Sequence, residues 1–188
     1  MTNKIRRGLL AGLVLATIAV NGCILTSAQI LVNFELGNVD INNVTAAVGR
    51  VVVDLNSISD YSDNKDKLKN ISDFAVLGKF VNNAGPAGSV EVWVTPEVTN
   101  FTTVNAIQSG GGVRLWGPGS IGAAGTPGGT VTLGWDESAA LFSQAGKNIV
   151  LGEAKGDGAF TLYAAGTAGV YDISVQNGVL VLVLEAGI

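Results

Sequence analysis

The feature that most constrains the fold is an alternation of apolar and other residues that returns in four separate stretches of the chain. Valine, leucine, isoleucine or an aromatic residue occupies every second position in 32–36, 90–94, 131–135 and 171–175. Successive side chains of a β-strand point to opposite faces of its sheet, so each stretch would turn one apolar face toward a core. The alternation therefore predicts an all-β domain of antiparallel strands.

Two further stretches, 51–53 and 179–184, are continuous runs of valine and leucine, which predict strands buried on both faces. Asn177-Gly178 precedes the second run and favours the type I′ turn of a hairpin. We therefore expect an antiparallel meander at this end, with Gly156-Asp157-Gly158 as another tight turn. A long apolar strand is hazardous at a sheet edge, so the 179–184 strand is expected at the centre of its sheet or paired with another chain.

Two short helices are also expected. Ser62 is placed to cap a helix over 63–70. Asp136 is placed to cap a second helix that runs through Ala145 and is stopped by Gly146. Neither helix would exceed about three turns, so both would be additions to a β framework.

The glycines of 110–112 and 117–129 predict a long Gly-rich loop. The strand candidates number roughly eight to ten at turn-separated spacing, which is typical of two antiparallel sheets packed face to face. The predicted fold class is therefore an all-β, antiparallel two-sheet sandwich, Ig-like or related, with one or two short helices.

The first residues predict export. Lys4, Arg6 and Arg7 precede the segment 8–20, in which Thr17 is the only hydroxyl-bearing residue and no residue is charged. A segment of this length matches the apolar region of a signal peptide, whereas a membrane-spanning helix needs about 20 apolar residues. Residues 1–22 are therefore predicted to be a signal peptide, and 23–188 a single β-sandwich domain.

The residues that follow, Val20-Asn21-Gly22-Cys23, resemble the lipobox of bacterial lipoprotein precursors. This resemblance implies that the Cys23 sulfur receives a diacylglycerol, that cleavage occurs before Cys23, and that the new amino group is acylated, commonly with palmitate. Two or three acyl chains hold a protein stably in a membrane. Ile24, in place of Asp, implies delivery to the outer membrane. The alternative is an ordinary secretory signal cut near 27–29.

Composition removes several kinds of chemistry. The chain has 188 residues with no histidine and Cys23 as its one cysteine, which excludes a histidine-dependent triad, a His-rich metal site and an internal disulfide. Loss of 1–22 would leave 8 basic and 15 acidic residues, a net charge of 8 − 15 = −7. An acidic domain of this kind argues against a nucleic-acid partner.

One acidic cluster offers oxygen ligands for calcium. Asp60, Asp63, Asn64 and Asp66 lie within seven residues, without the Gly and closing Glu of an EF-hand loop. Interleaved lysines would repel a cation, which favours a solvated, mixed-charge surface. The sequence leaves open whether Asp60, Asp63 and Asp66 bind calcium.

Other motifs carry less information. The segment 117–122 fits the GxGxxG pattern of dinucleotide sites, but the residues after it do not favour the required helix, so a loop is expected. Ser143 and Lys147 are spaced for a Ser-Lys dyad, but Gly146 is expected to break the helix between them. No pair of acidic residues stands out as catalytic.

The aromatic residues suggest one further hypothesis, a stacking platform for sugars. Trp93 is the most informative, because it falls among the polar positions of its strand. A core position under a covering helix is the favoured interpretation. The six side chains considered are Tyr61, Trp93, Trp116, Trp135, Tyr163 and Tyr171.

The segment 53–74 is similar to a pattern in uncharacterised bacterial envelope proteins with Ig-like sandwiches, which implies fold and compartment only. We therefore expect a lipid-anchored, non-catalytic structural or binding module at the outer membrane, without a cofactor or a metal. Its membrane contact would be the acyl chains on Cys23, and its protein or glycan partner is unknown. The alternatives are a carbohydrate-binding domain, a subunit of a self-assembling surface structure, and a small carboxylate-dependent hydrolase.

Overall fold

The computed structural model describes residues 28–42, 48–96, 98–166 and 171–187. The predicted signal peptide and Cys23 lie outside the described residues, so cleavage and acylation stay predictions. Within the described ranges, no helix is both long and apolar enough to cross a membrane.

The described residues form eight strands and four short α-helices. The strands are β1 (Ala28–Asn42), β2 (Gly49–Asp54), β3 (Leu68–Ala84), β4 (Gly88–Thr95), β5 (Val113–Ile121), β6 (Thr130–Leu133), β7 (Ala159–Gly166) and β8 (Asp172–Ala186). The helices are α1 (Ser59–Ser62), α2 (Val104–Ser109), α3 (Trp135–Ala139) and α4 (Gln144–Lys155), with 3₁₀ turns at Leu55–Ser57, Lys65–Lys67 and Pro127–Gly129.

Strands of the first half of the chain pair with strands of the second half in reverse order. β1 pairs with β8, β2 with β7, β3 with β6 and β4 with β5, all antiparallel. Two more pairings, β3 with β8 and β4 with β7, complete sheet A (β1-β8-β3-β6) and sheet B (β2-β7-β4-β5). An eight-stranded double sheet wound in this way is a jelly roll. The predicted antiparallel two-sheet sandwich is confirmed, with a strand order that differs from the Ig-like one.

The main core lies between the two sheets. Its largest completely buried side chain is Trp116 of β5, whose ring stacks on Phe80 of β3 with centroids 6.4 Å apart. Trp116 Nε1 donates a hydrogen bond of 2.7 Å to the carbonyl oxygen of Ser138 in α3. This arrangement satisfies the polar end of the indole while its rings fill the core.

A second, smaller core lies on the outer face of sheet B. Trp93 of β4 and Tyr163 of β7 are buried there under Ile107 of α2, with Phe101 and Val104 packed at the side. The expectation that Trp93 occupies a core position under a covering helix is confirmed.

The predicted meander and its Asn177-Gly178 hairpin are wrong. β7 and β8 belong to different sheets, and Asn177-Gly178 lies inside β8 as a bulge. Asn177 has φ +51°, and its N–H donates to Asn38 Oδ1 at 3.2 Å. Gly78 on β3 has φ +146°, and a Cβ there would lie 3.2 Å from Gly178 Cα. The dipeptide bends a strand that is paired on both sides and does not reverse the chain.

The helix predicted over 63–70 is also wrong. Leu68 and Ile71 are buried, but they belong to β3, where they pair with Ala186 and Leu184 of β8. Sheet pairing on β8 therefore replaces the local helical tendency with an extended backbone.

The helix expected from Asp136 to Ala145 is two helices, and Gly146 does not stop it. Residues 141–143 run beside β5 instead, where Gly117 N–H donates to the Leu141 carbonyl at 3.0 Å and Ser143 N–H donates to the Leu115 carbonyl at 2.8 Å. These two bonds hold an extended segment between α3 and α4.

The expected Gly-rich loop is shorter than predicted. Residues 110–112 form a turn after α2, but 117–121 belong to β5, so the loop before the Pro127–Gly129 turn starts at Gly122. Of the two apolar runs, 180–184 is buried on both faces, as predicted, in a strand paired with β1 on one side and β3 on the other. In the other run Val52 is 44% exposed, because β2 is an edge strand.

Candidate functional site

The predicted acidic cluster does not converge. Asp60, Asp63 and Asp66 are exposed, and Asn64 Nδ2 donates to the Asp60 carbonyl at 2.9 Å. Among the residues that the structure describes, no group of three or more Asp, Glu, Cys or His side chains could hold a metal ion.

The residues of the GxGxxG pattern are structural. Gly117 and Gly119 lie in β5, and the chain turns after Ile121 without starting an α-helix. A Cβ at Gly117 would lie 2.8 Å from the Val90 carbonyl oxygen, and one at Gly119 would lie 2.8 Å from the Trp116 ring. These glycines allow β5 to pack closely against β4 and against the Trp116 ring. A dinucleotide site needs a helix that starts directly after the motif, and in the described range 98–166 none starts there.

Ser143 is a helix cap. Its Oγ accepts a hydrogen bond of 3.0 Å from Gly146 N–H at the start of α4 and donates to the Arg114 carbonyl. The hydroxyl is therefore engaged with backbone on both sides, and the Lys147 backbone N–H bonds the Ser143 carbonyl at 3.0 Å. The expectation that Ser143 and Lys147 form no catalytic dyad had a wrong reason, since Gly146 belongs to α4.

The aromatic side chains do not form one exposed platform. Tyr61, Trp93, Trp116 and Tyr163 are buried, as the favoured core interpretation predicts. Trp135, at the start of α3, is 37% exposed.

A polar network that sequence reasoning missed surrounds Trp93 on sheet B. The pairing of β4 and β5 brings Arg114 beside Trp93. Glu91 lies between them: its Oε1 accepts from Arg114 Nη1 at 3.1 Å and its Oε2 accepts from Trp93 Nε1 at 3.2 Å. Only the strand register brings Arg114 and Glu91 together, so no local pattern could have found this ion pair.

A separate group of hydrogen bonds fastens the segment that leads to α2. Thr99 Oγ1 shares a hydrogen bond of 2.7 Å with Tyr163 OH, and Arg50 Nε donates to the Thr99 carbonyl at 2.7 Å. Thr99 Oγ1 also lies 3.1 Å from Thr95 Oγ1. These contacts hold α2 and the segment before it in place over the second core.

Tyr61 is a buried titratable group at a different junction. Its hydroxyl donates to the Ala154 carbonyl at 2.8 Å, which joins α1 to the end of α4. Burial raises the pKa of Tyr61 above its ordinary value, and the negative charges of Asp157 and Asp54 raise it further. Nearby, Asp54 Oδ1 accepts from Asn56 N–H at 2.9 Å.

The sheet edges differ in how they are protected. Residues 141–143 cover the outer edge of β5, and β6 has only four residues. Where β6 ends, Ser138 Oγ of α3 accepts from Val76 N–H at 2.7 Å and donates to the Val76 carbonyl at 2.9 Å, which satisfies the exposed side of β3. Short edges and covered edges resist unwanted strand pairing.

Of the four described edge strands, which include the six-residue β2, β1 is the longest. It is 15 residues long, and none of the described residues pairs with its outer side. Ile30 and Val32 point into the core, whereas Leu31 on the outer face is 57% exposed. The outer side of β1, which we call the β1 edge, is the candidate functional site.

Comparisons with known proteins assign no family to the chain. No protein-family model matches the chain, and no curated protein matches it. A chain in the cryo-EM structure of Mud crab tombus-like virus is similar with a TM-score of 0.36 and 12% identity, over 86% of this chain and 81% of that one. A chain of Desmodium yellow mottle tymovirus is similar with a TM-score of 0.28 and 12% identity, over 86% and 88%.

Proposed function

We propose that this chain is a lipid-anchored protein of the bacterial outer membrane and that its mature part, residues 23–188, is a non-catalytic structural or binding module. The observation that carries the proposal is the lipobox-like Val20-Asn21-Gly22-Cys23, which follows the charged and apolar segments of a signal peptide. β1 begins at Ala28, which is 28 − 23 = 5 residues after Cys23. Five extended residues span at most about 17 Å, so the anchor would hold the Ala28 end of β1 close to the lipid headgroups.

The engagement of hydroxyl and carboxylate groups in structural contacts supports a non-catalytic role. Ser138 closes the side of β3, Ser143 caps α4, and Glu91 is held between Arg114 and Trp93. A nucleophile or general base needs a free atom that reaches a substrate, whereas these atoms are bonded to the fold.

Acylation of Cys23 tests the proposal directly. The full chain is expressed in a diderm bacterium that is fed a palmitate analogue, beside Cys23→Ala and the control Thr26→Ala. We expect label in the wild type and the control, loss of label in Cys23→Ala, and a mature chain that begins at an acylated Cys23. Mass spectrometry of the N-terminus reads the cleavage position.

Two outcomes would contradict the anchor. One is an unmodified Cys23 in the mature chain, and the other is a mature chain that starts near 27–29, as an ordinary secretory signal would give.

A further inference from the structure

We propose that the β1 edge is a homodimer interface: β1 pairs antiparallel with β1 of a second copy across a two-fold axis at Leu31. Sheet A of one copy then continues into sheet A of the other. The inference deepens the proposed structural role and rests on it, but it does not require an acyl group on Cys23. The binding partner is a second molecule of the same protein.

The backbone of β1 supplies the first argument. An edge strand offers a row of free N–H and C=O groups, which an extended chain can bind by adding a strand. The edge of β5 is covered by 141–143, β6 and β2 have only four and six residues, and Ser138 satisfies β3 beyond β6, whereas β1 has 15 residues and none of the described residues pairs with its outer side. The chemistry that this edge recognises is therefore another β-strand.

The side chains of β1 supply the second argument, which concerns register. A two-fold axis at Leu31 pairs Ile30 with Val32 and Gln29 with Asn33 of the other copy. Core-facing residues of one copy thus lie opposite core-facing residues of the other, so both cores lie on the same face of the continuous sheet. A register shifted by one residue would place the core-facing side chains of the second copy on the opposite face.

Charge and exposure identify the occupant as a second copy. The paired segment, 28–34, contains no charged residue, although the mature chain would carry −7. Like charges directly opposite each other destabilise a strand pair, so 28–34 can face itself without that cost. Leu31, which at 57% is the most exposed large apolar side chain among those described, would lie against Leu31 of the second copy and leave water.

The two-fold geometry also suits two copies on one membrane. The axis is normal to the paired strands' sheet, so the two Ala28 ends lie at the same height along it. Each end is five residues from its Cys23, and both anchors could enter one bilayer. Confinement to a membrane raises the effective concentration of the second copy.

Cysteine cross-linking tests this register in the full chain. Leu31→Cys is compared with wild type and with Val52→Cys, a matched control because Val52 is an exposed apolar residue on the edge strand of the other sheet. Facing residues at an antiparallel dyad lie within the range of a disulfide. We expect a disulfide-linked dimer on non-reducing gels for Leu31→Cys, several-fold above both wild type and Val52→Cys.

Each result has a defined meaning. Equal cross-linking of Leu31→Cys and Val52→Cys, or a monomer in all three, overturns the interface. The wild type reports Cys23 separately: a dimer in wild type indicates a free Cys23 thiol and counts against the anchor, but leaves the comparison of Leu31→Cys with wild type readable.

A second measurement does not depend on a disulfide. Leu31→Lys places two like charges at the dyad, and Val52→Lys is its control. Light scattering of the purified full chain in detergent should give a dimer for wild type and Val52→Lys and a monomer for Leu31→Lys. A monomeric wild type, or a Leu31→Lys chain that stays dimeric, contradicts the proposal, with circular dichroism confirming that each variant is folded.

Discussion

Tyr61 joins two segments that are distant in the sequence. Its buried hydroxyl bonds the Ala154 carbonyl, and beside it Asn56 Nδ2 donates to the Asp157 carbonyl at 2.7 Å. The neutral phenol is a good donor in this position, whereas a phenolate would be buried without solvent and would face two carboxylates. Protonation of Tyr61 is therefore coupled to the stability of the α4 end.

This coupling predicts a loss of stability in alkali. The pKa of Tyr61 is raised in the folded state, so above pH 10 the unfolded chain loses this proton while the folded chain keeps it. The unfolded state then binds fewer protons, and the free energy of unfolding falls as pH rises. At neutral pH, Tyr61→Phe should cost about 1 kcal/mol, the net worth of one hydrogen bond.

Urea unfolding of wild type and Tyr61→Phe from pH 7 to pH 11 measures the effect. The other tyrosines are common to both chains, so the difference between the two isolates Tyr61. The wild type should be the more stable at pH 7, and its advantage should shrink above pH 10. An advantage that stays constant up to pH 11 would show that Tyr61 does not hold its proton more tightly in the folded protein.

At the scale of elements, α4 shows that tertiary packing decides whether a glycine ends a helix. Gly146 is expected from its sequence to end a helix, yet α4 runs from Gln144 to Lys155. A Cβ at Gly146 would lie 2.4 Å from Leu115 Cα in β5. The glycine therefore lets the helix contact the strand backbone. Gly152, in the same helix, is exposed and has nothing within 4 Å of its missing Cβ.

These two glycines predict opposite effects of one substitution. Gly152→Ala should raise the free energy of unfolding by about 1 kcal/mol, because alanine is the better helix former. Gly146→Ala gains the same propensity but pushes α4 off β5, and overpacking of this kind costs about 1–3 kcal/mol. Thermal unfolding of both variants measures the signs. A Gly146→Ala chain as stable as Gly152→Ala would refute the close contact.

At the scale of the molecule, the first and last described strands are partners. Ala28 lies opposite Ala186, and β1 stays in register with β8 along most of its length. The two ends of the sandwich are therefore adjacent, and sheet A has no central strand until β8 is in place. Pairings of such long sequence separation are typical of slowly folding β proteins.

The adjacency predicts that a circular permutant will fold. A short Gly/Ser linker would join Gly187 to Ala28, and new ends would open between Gly125 and Thr126, which are exposed in the β5–β6 loop. Permutation succeeds at exposed loops near which few contacts are lost. We expect one cooperative unfolding transition, as for the parent domain 28–187.

The matched control opens the same linked chain at Gly78, inside β3, where the strand is paired with β6 and β8. That cut breaks the sheet and should abolish cooperative unfolding. If the Gly125 permutant failed as the control does, the adjacency of the two ends would be in doubt.

Strand positions were largely predictable. The stretches 32–36 and 90–94 fall inside β1 and β4, and all of 171–175 except its first residue lies in β8. Alternation fails at 131–135, because the segment leaves β6 after Leu133 and Trp135 starts α3. A period of two reports which faces are covered, but it does not report where a strand ends.

The candidate site was predictable only in part. The resemblance at 20–23 predicts an anchor on Cys23. The apolar run 179–184 predicts a strand that would be hazardous at a sheet edge. The structure places that strand at the centre of sheet A and leaves β1 at the edge. Which strand is exposed depends on sheet order, and an amphipathic pattern is the same for edge and central strands.

The amino-acid sequence alone established the class of fold and the excluded chemistries, because alternation, composition and the absence of histidine are local or countable properties. The tertiary structure assigned the partners: it made Asn177-Gly178 a bulge, brought Glu91 to Arg114, and let Gly146 lie inside a helix. Each of these depends on hydrogen bonds and packing between residues far apart in the chain. Such contacts outweigh local conformational preferences of about 1 kcal/mol, and a short stretch of sequence does not predict them.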